Sequence, residues 1–336
     1  MTQIVLAPTP EDAGAERTRE HPLRWVMRQL RANSGATIGG IVFLTLVIIG
    51  FASPWLAPYR PDQSFSTGYR PPSSAHWLGL NDVGNDLLSQ IMYGTRTSLL
   101  VGFGAAFLAI AIGVVLGLAS GYWGGRTDGA ISSVTDFFLV IPEVPLMMVI
   151  AAVWGQGLWK MTLIIGILLW TWTVRVIRAQ VMSVKERVYV RRAKALGGSD
   201  WRVITRHVLP QVGPLIIVNF VLTVAVAIFD ESALSFLGLG DPRIISLGRI
   251  LDDANQGGAA TLGAWWALIP AGAVIAILIL SLTLMGQAVE DALNPRLKVS
   301  YLSRKHFLLL PNRYTNVSDP SPTPTTSKKS SKGEAA

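Results

Sequence analysis

Residues Ser98–Trp123 read SLLVGFGAAFLAIAIGVVLGLASGYW, an apolar run without a single charged side chain. The hydrocarbon core of a bilayer is crossed by about 20 consecutive apolar residues in a helix, and this run is long enough. Backbone N–H and C=O groups in hydrocarbon have no water to pair with, so the run must be helical. It therefore predicts a transmembrane helix.

Similar apolar runs on both sides of this one predict five further spans. They lie at Thr37–Leu56, Phe137–Val153, Leu158–Val176, Val212–Leu237 and Leu262–Val289. Only AAVWGQGLWK separates the third span from the fourth, which leaves room for a tight turn. A membrane barrel would need short strands of alternating polarity instead. The predicted fold class is an all-α membrane protein with six transmembrane helices.

The composition agrees with this class and excludes several kinds of site. Half of the 336 residues are hydrophobic and 15% are charged, against about 25% charged in soluble domains. The chain has no cysteine, which excludes disulfides, thiolate metal ligands and cysteine nucleophiles. Its four histidines lack the spacing of metal ligands, so we predict no metal site.

The basic residues predict the orientation of the chain. Six of the 29 Lys and Arg residues lie in the predicted outer loops: Arg60, Arg70, Arg96, Lys160, Arg243 and Arg249. Roughly four fifths then lie on the inner side, as the positive-inside rule requires. Both termini are predicted to be cytoplasmic. The net charge of +8 thus reflects topology and contact with lipid, and we predict no nucleic-acid partner.

The chain divides into five predicted regions. The leader lacks the early apolar core of a cleavable signal peptide, so the first span is expected to stay as an anchor. The last stretch is rich in Ser, Thr, Pro and Lys and is predicted to be disordered. The regions are a leader at 1–35, an anchor helix at 36–58, an external segment at 59–97, a five-helix core at 98–298 and a tail at 299–336.

Between the fourth and fifth spans the chain carries YVRRAKALGGSDWRVITRHVLP, Tyr189–Pro210. Gly197-Gly198 predicts a helix stop, and Ser199 a cap for a second short helix begun by Asp200. That helix would carry Trp201, Ile204 and Val208 as one apolar stripe and would be broken by Pro210. We predict a cytoplasmic helix–turn–helix within 185–210. The alternative is a basic loop resting on anionic lipid headgroups.

Two further features are candidates for function. Glu143 and the pair Asp230-Glu231 fall within or beside predicted spans, where a carboxylate usually faces a cavity or a partner. Glu143 and Glu231 are predicted to lie on a translocation pathway, although Glu231 could instead make a structural hydrogen bond. The second span also carries small residues at four-residue spacing, which favour close packing within the chain or against another subunit. These are Gly113, Gly117 and Gly121.

No catalytic constellation is present in the sequence. There is no G-x-x-x-x-G-K-[ST] pattern, so the chain cannot by itself bind nucleotide phosphates in a P-loop. The spans also lack the series of ionisable residues that proton pumps and voltage sensors need. We predict a non-enzymatic membrane component that binds no cofactor of its own.

The basic segment resembles the conserved cytoplasmic loop of binding-protein-dependent ABC importer permeases. The match is Ala193, three residues, Gly197, nine residues, His207, and then Leu209-Pro210. Three other blocks resemble the dipeptide, oligopeptide and nickel subgroup. They are HWLGLNDVGNDLLSQIMYGTRTSLLVG (His76–Gly102), ESALSFLGLGDP (Glu231–Pro242) and DALNPRLK (Asp291–Lys298).

The resemblance implies the C-type permease subunit of an ATP-driven peptide importer with type I architecture. Importers of nickel chelates, opines or glutathione are alternatives within the family. The implied partners are a second permease, two ATPase subunits that bind ATP and Mg²⁺, and an external substrate-binding protein. Residues implied in ATPase coupling are Arg191, Ala193, Gly197, Ser199, Asp200, Trp201, His207, Leu209 and Pro210.

The chain departs from the family pattern at one place in this segment. Arg191 and Arg192 stand where the family usually has Glu and Ala, which predicts a more basic docking surface. Two alternatives from other classes remain, a self-sufficient channel or secondary transporter and a non-transporting scaffold. The first would show an inverted repeat with broken helices, and we find no such repeat in the sequence.

Overall fold

A computed structural model describes residues 34–293, and the fold below refers to these residues. The predicted leader, except for its last two residues, and the predicted tail lie outside them. The helices are α1 (Ser34–Phe51), α2 (Ser53–Leu56), α3 (Leu87–Trp123), α4 (Gly125–Val140), α5 (Glu143–Trp154), α6 (Leu158–Leu168), α7 (Trp170–Lys185), α8 (Val188–Ala195), α9 (Asp200–Val203), α10 (Leu209–Phe236), α11 (Leu247–Gln256) and α12 (Trp265–Leu293).

Six membrane spans are present in the described part of the chain. Five helical runs are long and apolar enough to cross a bilayer: α1, α3, α6 with α7, α9 with α10, and α12. The pair α4 and α5 passes the same test as one span, although it is bent by 85°. The prediction of an all-helical, six-span protein is thereby confirmed.

The second span is longer than predicted, because α3 begins at Leu87 and not at Ser98. Asp86 caps it, and its side chain accepts a hydrogen bond from the Ser89 backbone N–H at 2.8 Å. Such a cap satisfies one of the four unpaired N–H groups of a helix start. Residues 87–97, which the sequence placed in the external segment, are therefore the first turns of α3.

The third span, predicted as one helix at Phe137–Val153, is broken between α4 and α5. Ile141 is extended, with φ −81° and ψ 128°, and Pro142 precedes the first residue of α5. Proline cannot donate a backbone hydrogen bond and pushes the preceding residue out of the helical region. The chain consequently turns by 85° at this point. The tight turn predicted next is present, with Gly155 at φ +81°.

Helix α3 is the centre of the bundle and packs against α1, α6, α7 and α10. Its glycine row lies on α7. A Cβ atom added to Gly113 would come within 2.4 Å of Thr173 Cβ, and one added to Gly117 within 2.8 Å of Ile177 Cβ. One added to Gly121 would meet Val181 Cβ at 2.7 Å. The row therefore makes an intramolecular contact, where small residues let two backbones approach closely.

The segment between α2 and α3 has little regular structure and is held by polar contacts. His76 Nδ1 lies 2.9 Å from Asp86 Oδ1, next to the start of α3. Rings of Tyr59 and Phe65 pack on the His76 ring. On the same side of the bundle α11 occupies 247–256, capped by Ser246. This short helix lies within residues 238–262, the segment that joins the fifth predicted span to the sixth.

Candidate coupling surface and buried carboxylates

The glycine pair after α8 ends that helix in a defined way. Gly197 has φ +84°, and its N–H bonds to the Lys194 carbonyl while Gly198 N–H bonds to the Ala193 carbonyl. This pair of bonds is a Schellman motif, which requires a left-handed residue after the helix. A Cβ on Gly198 would also lie 2.7 Å from the Ala193 carbonyl oxygen. The turn direction therefore depends on both glycines.

We predict that Gly197→Pro will abolish transport without removing the chain from the membrane. Proline holds φ near −65° and lacks the N–H that bonds to Lys194, so the turn cannot form. The measurement is uptake by the assembled transporter, alongside the amount of the chain in purified membranes. Gly213→Ala is a suitable control, because a Cβ there meets nothing within 4 Å. Normal uptake by Gly197→Pro would show that the turn is dispensable.

The helix after the turn presents its apolar residues in two directions, which corrects the predicted single stripe. Ile204 and Val208 are buried, whereas Trp201 is 76% exposed. Val203, Ile204 and Val208 belong to one buried apolar cluster, and Trp201 does not. Leu196, directly before the glycine turn, is 89% exposed. We call Leu196 and Trp201 the apolar knob.

Two other predictions about this segment are wrong. Ser199 stands at the N-cap position, but its side chain makes no capping bond. Pro210 does not break the chain, because Ile204–Val208 forms a π-helical turn that leads directly into α10. The Leu209 N–H bonds to the Ile204 carbonyl, five residues back. This wider turn accommodates the proline within a continuous helical run from Asp200 to Phe236.

The segment is tied to the end of α3. Tyr122 Oη donates a hydrogen bond to Asp200 Oδ1 at 2.8 Å, and Lys194 Nζ lies 3.6 Å from the same oxygen. Lys194 also sits over the Tyr122 ring, 5.4 Å from its centroid. Beneath these contacts, Tyr122 and buried valines and isoleucines of α7, α8, α9 and α10 form one apolar cluster. The knob is therefore on a firmly packed support.

An ion pair beside this support was not predicted. Arg178 Nε and Nη2 donate to the two oxygens of the Asp128 carboxylate at 2.5 and 2.7 Å, and Ser120 Oγ donates to it at 2.5 Å. The geometry is bidentate, the strongest form of arginine–carboxylate contact. It joins α3, α4 and α7. Charges of opposite sign at the ends of neighbouring spans could have indicated this ion pair. The partners are 50 residues apart in the sequence, so no local pattern joins them.

The remaining predicted coupling residues surround the knob. Arg191 and Arg192 are exposed, Ala193 is partly buried against the apolar cluster, and His207 is partly buried. The His207 ring lies 6.4 Å from the Tyr189 ring. Arg202 and Arg206 are exposed as well, so the segment that carries the knob is basic, and we call its arginines at 191, 192, 202 and 206 the basic rim.

Glu231 lies inside the bundle and lines no open surface. It is 1% exposed and accepts hydrogen bonds from Ser98 Oγ at 2.7 Å and Ser235 Oγ at 2.8 Å. Ser98 Oγ in turn accepts a bond from the backbone N–H of Leu247, the first residue of α11. The carboxylate thus joins α3, α10 and α11. This geometry matches the structural hydrogen bond that the sequence left open, and not a water-filled path.

We predict that Glu231→Gln will keep uptake within about threefold of wild type, whereas Glu231→Leu will destabilise the protein. Glutamine retains an oxygen that the serine hydroxyls can reach. Leucine leaves buried hydroxyls unpaired, at about 1–3 kcal/mol for each. Thermal unfolding and uptake of the purified transporter measure the two effects. Loss of uptake by a stably folded Glu231→Gln protein would show a charge-dependent role in the pathway.

Glu143 and Asp230 differ from Glu231 in their surroundings. Glu143 is exposed and is the first residue of α5, directly after the break in the third span. Asp230 is 4% exposed, and its Oδ2 has no hydrogen-bond partner among the described residues. The sequence drew attention to both positions but gave no sign that Asp230 is buried without a partner.

On the opposite end of the bundle a polar cleft of about 480 Å³ lies between the external segment and α11. Asp82, Arg249 and Asp253 are among its lining residues. Burial raises the pKa of Asp253, and the neighbouring Arg249 opposes that change. Within residues 34–293 no group of three or more His, Asp or Glu side chains is suited to a metal ion.

Two family models match the chain. Residues 113–299, more than half of the sequence, match the binding-protein-dependent transport system inner membrane component. Residues 21–72 match the N-terminal transmembrane domain of oligopeptide transport permease C. Together they cover the first span and the part of the chain that carries α4 to α12.

Curated relatives match over most of their length. The oligopeptide transport system permease protein OppC of Mycobacterium tuberculosis is 35% identical, over 80% of this chain and 93% of that protein. The dipeptide transport system permease protein DppC of Bacillus subtilis is 33% identical, over 81% and 85%. The glutathione transport system permease protein GsiD of Pectobacterium atrosepticum is 31% identical, over 82% and 92%. The chain belongs to the family of inner-membrane components of binding-protein-dependent transport systems.

Proposed function

We propose that this chain is one of two permease subunits of an ATP-driven importer of peptides, and that the apolar knob is where an ATPase subunit holds it. The observation that carries the proposal is the knob itself. Leu196 and Trp201 are exposed apolar side chains on a support that is firmly packed. Membership of an ABC permease family implies ATPase partners and a second permease in general.

The connection from knob to membrane supports a lever mechanism. Trp201 belongs to a helical run that continues to Phe236, so a displacement of the knob moves α10. Asp200 bonds to Tyr122 at the end of α3, so α3 is displaced as well. Rigid-body motion of packed helices is a common means of switching a bundle between two states. Closure of the ATPases would thus switch the bundle between inward-facing and outward-facing forms.

The positive charge of the basic rim indicates which kind of partner surface this segment fits. Arg191, Arg192, Arg202 and Arg206 are all exposed around the knob. Charges at the rim of an interface contribute to association rate and specificity more than to affinity. We infer that the ATPase surface facing this subunit is acidic. ATP and Mg²⁺ bind to that partner and not to this chain.

The substrate proposal rests on the relatives, two of which are named as oligopeptide and dipeptide permeases. Glutathione is the second candidate, because a glutathione permease matches at 31% identity over a similar length. Both are small peptide-like solutes. The external segment and the 238–262 region, with the polar cleft between them, are proposed to receive a substrate-binding protein.

The proposed location is a bacterial inner membrane with both termini in the cytoplasm. The excess of Lys and Arg in the loops on the side of the apolar knob supports this orientation. In this arrangement Glu143 faces the translocation pathway at the break in the third span, whereas Glu231 is a structural residue. The glycine row at 113, 117 and 121 serves packing within the chain.

The experiment that tests this function is purification of the tagged chain from native membranes in gentle detergent. Mass spectrometry should find a second permease and two ATPase subunits at stoichiometric amounts. The same assembly in proteoliposomes, with its binding protein, should take up trialanine only when ATP is supplied. Recovery of the chain alone, still able to move solute without ATP, would contradict the proposal. Uptake of glutathione but not of trialanine would favour the second candidate.

A further inference from the structure

Asp230 has a buried carboxylate oxygen without a hydrogen-bond partner among the described residues. It lies in α10, six residues before the helix ends at Phe236, or about 9 Å along the axis. Its side chain is 4% exposed, and no donor among residues 34–293 reaches its Oδ2. Buried polar atoms are nearly always paired, so each exception requires an explanation. Neighbouring Glu231, by contrast, receives bonds from two serines.

The position of Asp230 on α10 places it beside an apolar cluster that includes residues of α5. One turn before it is Ala227 and one turn after it is Leu234, and both pack in the same apolar cluster as Met147 of α5. Residues three and four apart share a helix face. Asp230 therefore shares a face of α10 with two residues whose apolar cluster also includes residues of α3, α5 and α6. Met147 lies one turn after Glu143, the first residue of α5, so Glu143 is on the same face of α5 as a member of this cluster. In this arrangement the Asp230 and Glu143 carboxylates are near enough to repel one another.

The site is covered but lies next to an open surface. Val226 and Phe229 are exposed on the adjoining stripe of α10, and Glu143 is exposed at the break in the third span. A small opening between α5 and α10 would therefore expose Asp230 to a solute arriving at Glu143. The break at Pro142 lies directly before Glu143, so α5 is not continuous with α4 at this point. Non-helical backbone at membrane depth is tolerated where it lines a cavity.

We propose that Asp230 and Glu143 together bind a single positive charge. Two neighbouring carboxylates repel one another and carry a high desolvation cost, and one monovalent cationic group between them offsets both. The charge is either the ammonium group of the transported solute or a free K⁺ or Na⁺ ion. If it belongs to the solute, the site binds the amino end of a peptide during transport, an interpretation that rests on the proposed function.

The direct test is thermal unfolding of the purified assembly in choline chloride, with methylammonium, potassium or sodium chloride as the added probe. A ligand that binds only the folded state raises the melting temperature. We expect methylammonium to raise it by about 2 °C or more, and Asp230→Asn and Glu143→Gln each to remove that rise. A rise with K⁺ or Na⁺ but not methylammonium, lost in the same variants, would identify the inorganic ion as ligand.

The controls separate binding from folding. Asp136→Asn neutralises a carboxylate of α4 that is already paired with Arg175 at 2.6 Å, and it should leave the probe-dependent rise unchanged. Glu143 is exposed, so Glu143→Gln tests the site even if Asp230→Asn folds poorly. The proposal is overturned if none of the probes raises the melting temperature, or if both variants respond as the wild type does. Absence of trialanine uptake by the wild type would instead contradict the proposed function and leave the unfolding result intact.

Discussion

Trp201→Asp will lower ATP-driven uptake by about a hundredfold or more. The variant chain will still insert in the membrane and assemble with its second permease. Trp201 is 76% exposed, so its loss removes little packing within this chain. At an interface, a buried aromatic side chain commonly contributes 2 kcal/mol or more. A carboxylate in its place would add the cost of burying an unpaired charge.

The measurement is the amount of ATPase recovered with the tagged chain, together with uptake by the reconstituted assembly. Trp201→Phe is the matched control, because it keeps an aromatic ring at the same position and should retain most of both quantities. Full recovery of the ATPase subunits and normal uptake by Trp201→Asp would mean that the knob does not couple the chain to its energy source.

The double substitution Gly113→Ala with Gly117→Ala will destabilise the bundle by about 2–6 kcal/mol, because overpacking commonly costs about 1–3 kcal/mol at each site. The added methyl groups would lie within 2.4 and 2.8 Å of the Cβ atoms of Thr173 and Ile177. Both of those residues are branched at Cβ and cannot rotate away without moving the backbone of α7.

The matched control is Gly40→Ala with Gly272→Ala, two helical positions where an added Cβ meets nothing within 4 Å. Thermal unfolding of the purified chain with its partner permease compares the two variants. The control should unfold at or slightly above the wild-type temperature, since alanine favours helix over glycine. Equal unfolding temperatures for both double variants would show that the α3–α7 contact adapts without cost.

The sequence predicted the number and type of the spans, because uncharged apolar runs have only one solution in hydrocarbon. It did not predict where they begin. Polar residues such as Gln90 and Arg96 concealed the first turns of α3, whose start is set by the Asp86 cap. The break at Pro142 was also missed, since apolar residues continue on both sides of it and proline within membrane helices does not always stop them.

The candidate site was predicted in outline and corrected in detail. The glycine turn was predictable, because Gly197 takes the left-handed backbone conformation that glycine adopts most readily. Pro210 was misread as a helix end, because no residue pattern in ITRHV predicts a π-helical turn. The Asp128–Arg178 pair and the burial of Asp230 depend on which helices meet, information that no local pattern contains.

The central claim is that the apolar knob lies against an ATPase subunit, and cross-linking tests it most directly. The chain has no cysteine, so Arg202→Cys, next to Trp201 and exposed, supplies a single reactive thiol. Thr67→Cys, exposed in the external segment, is the control. With a thiol-to-amine cross-linker, we expect Arg202→Cys to yield a product with the ATPase and Thr67→Cys to yield none. A product between Thr67→Cys and the ATPase, or none with Arg202→Cys in an assembly that hydrolyses ATP, would contradict the account.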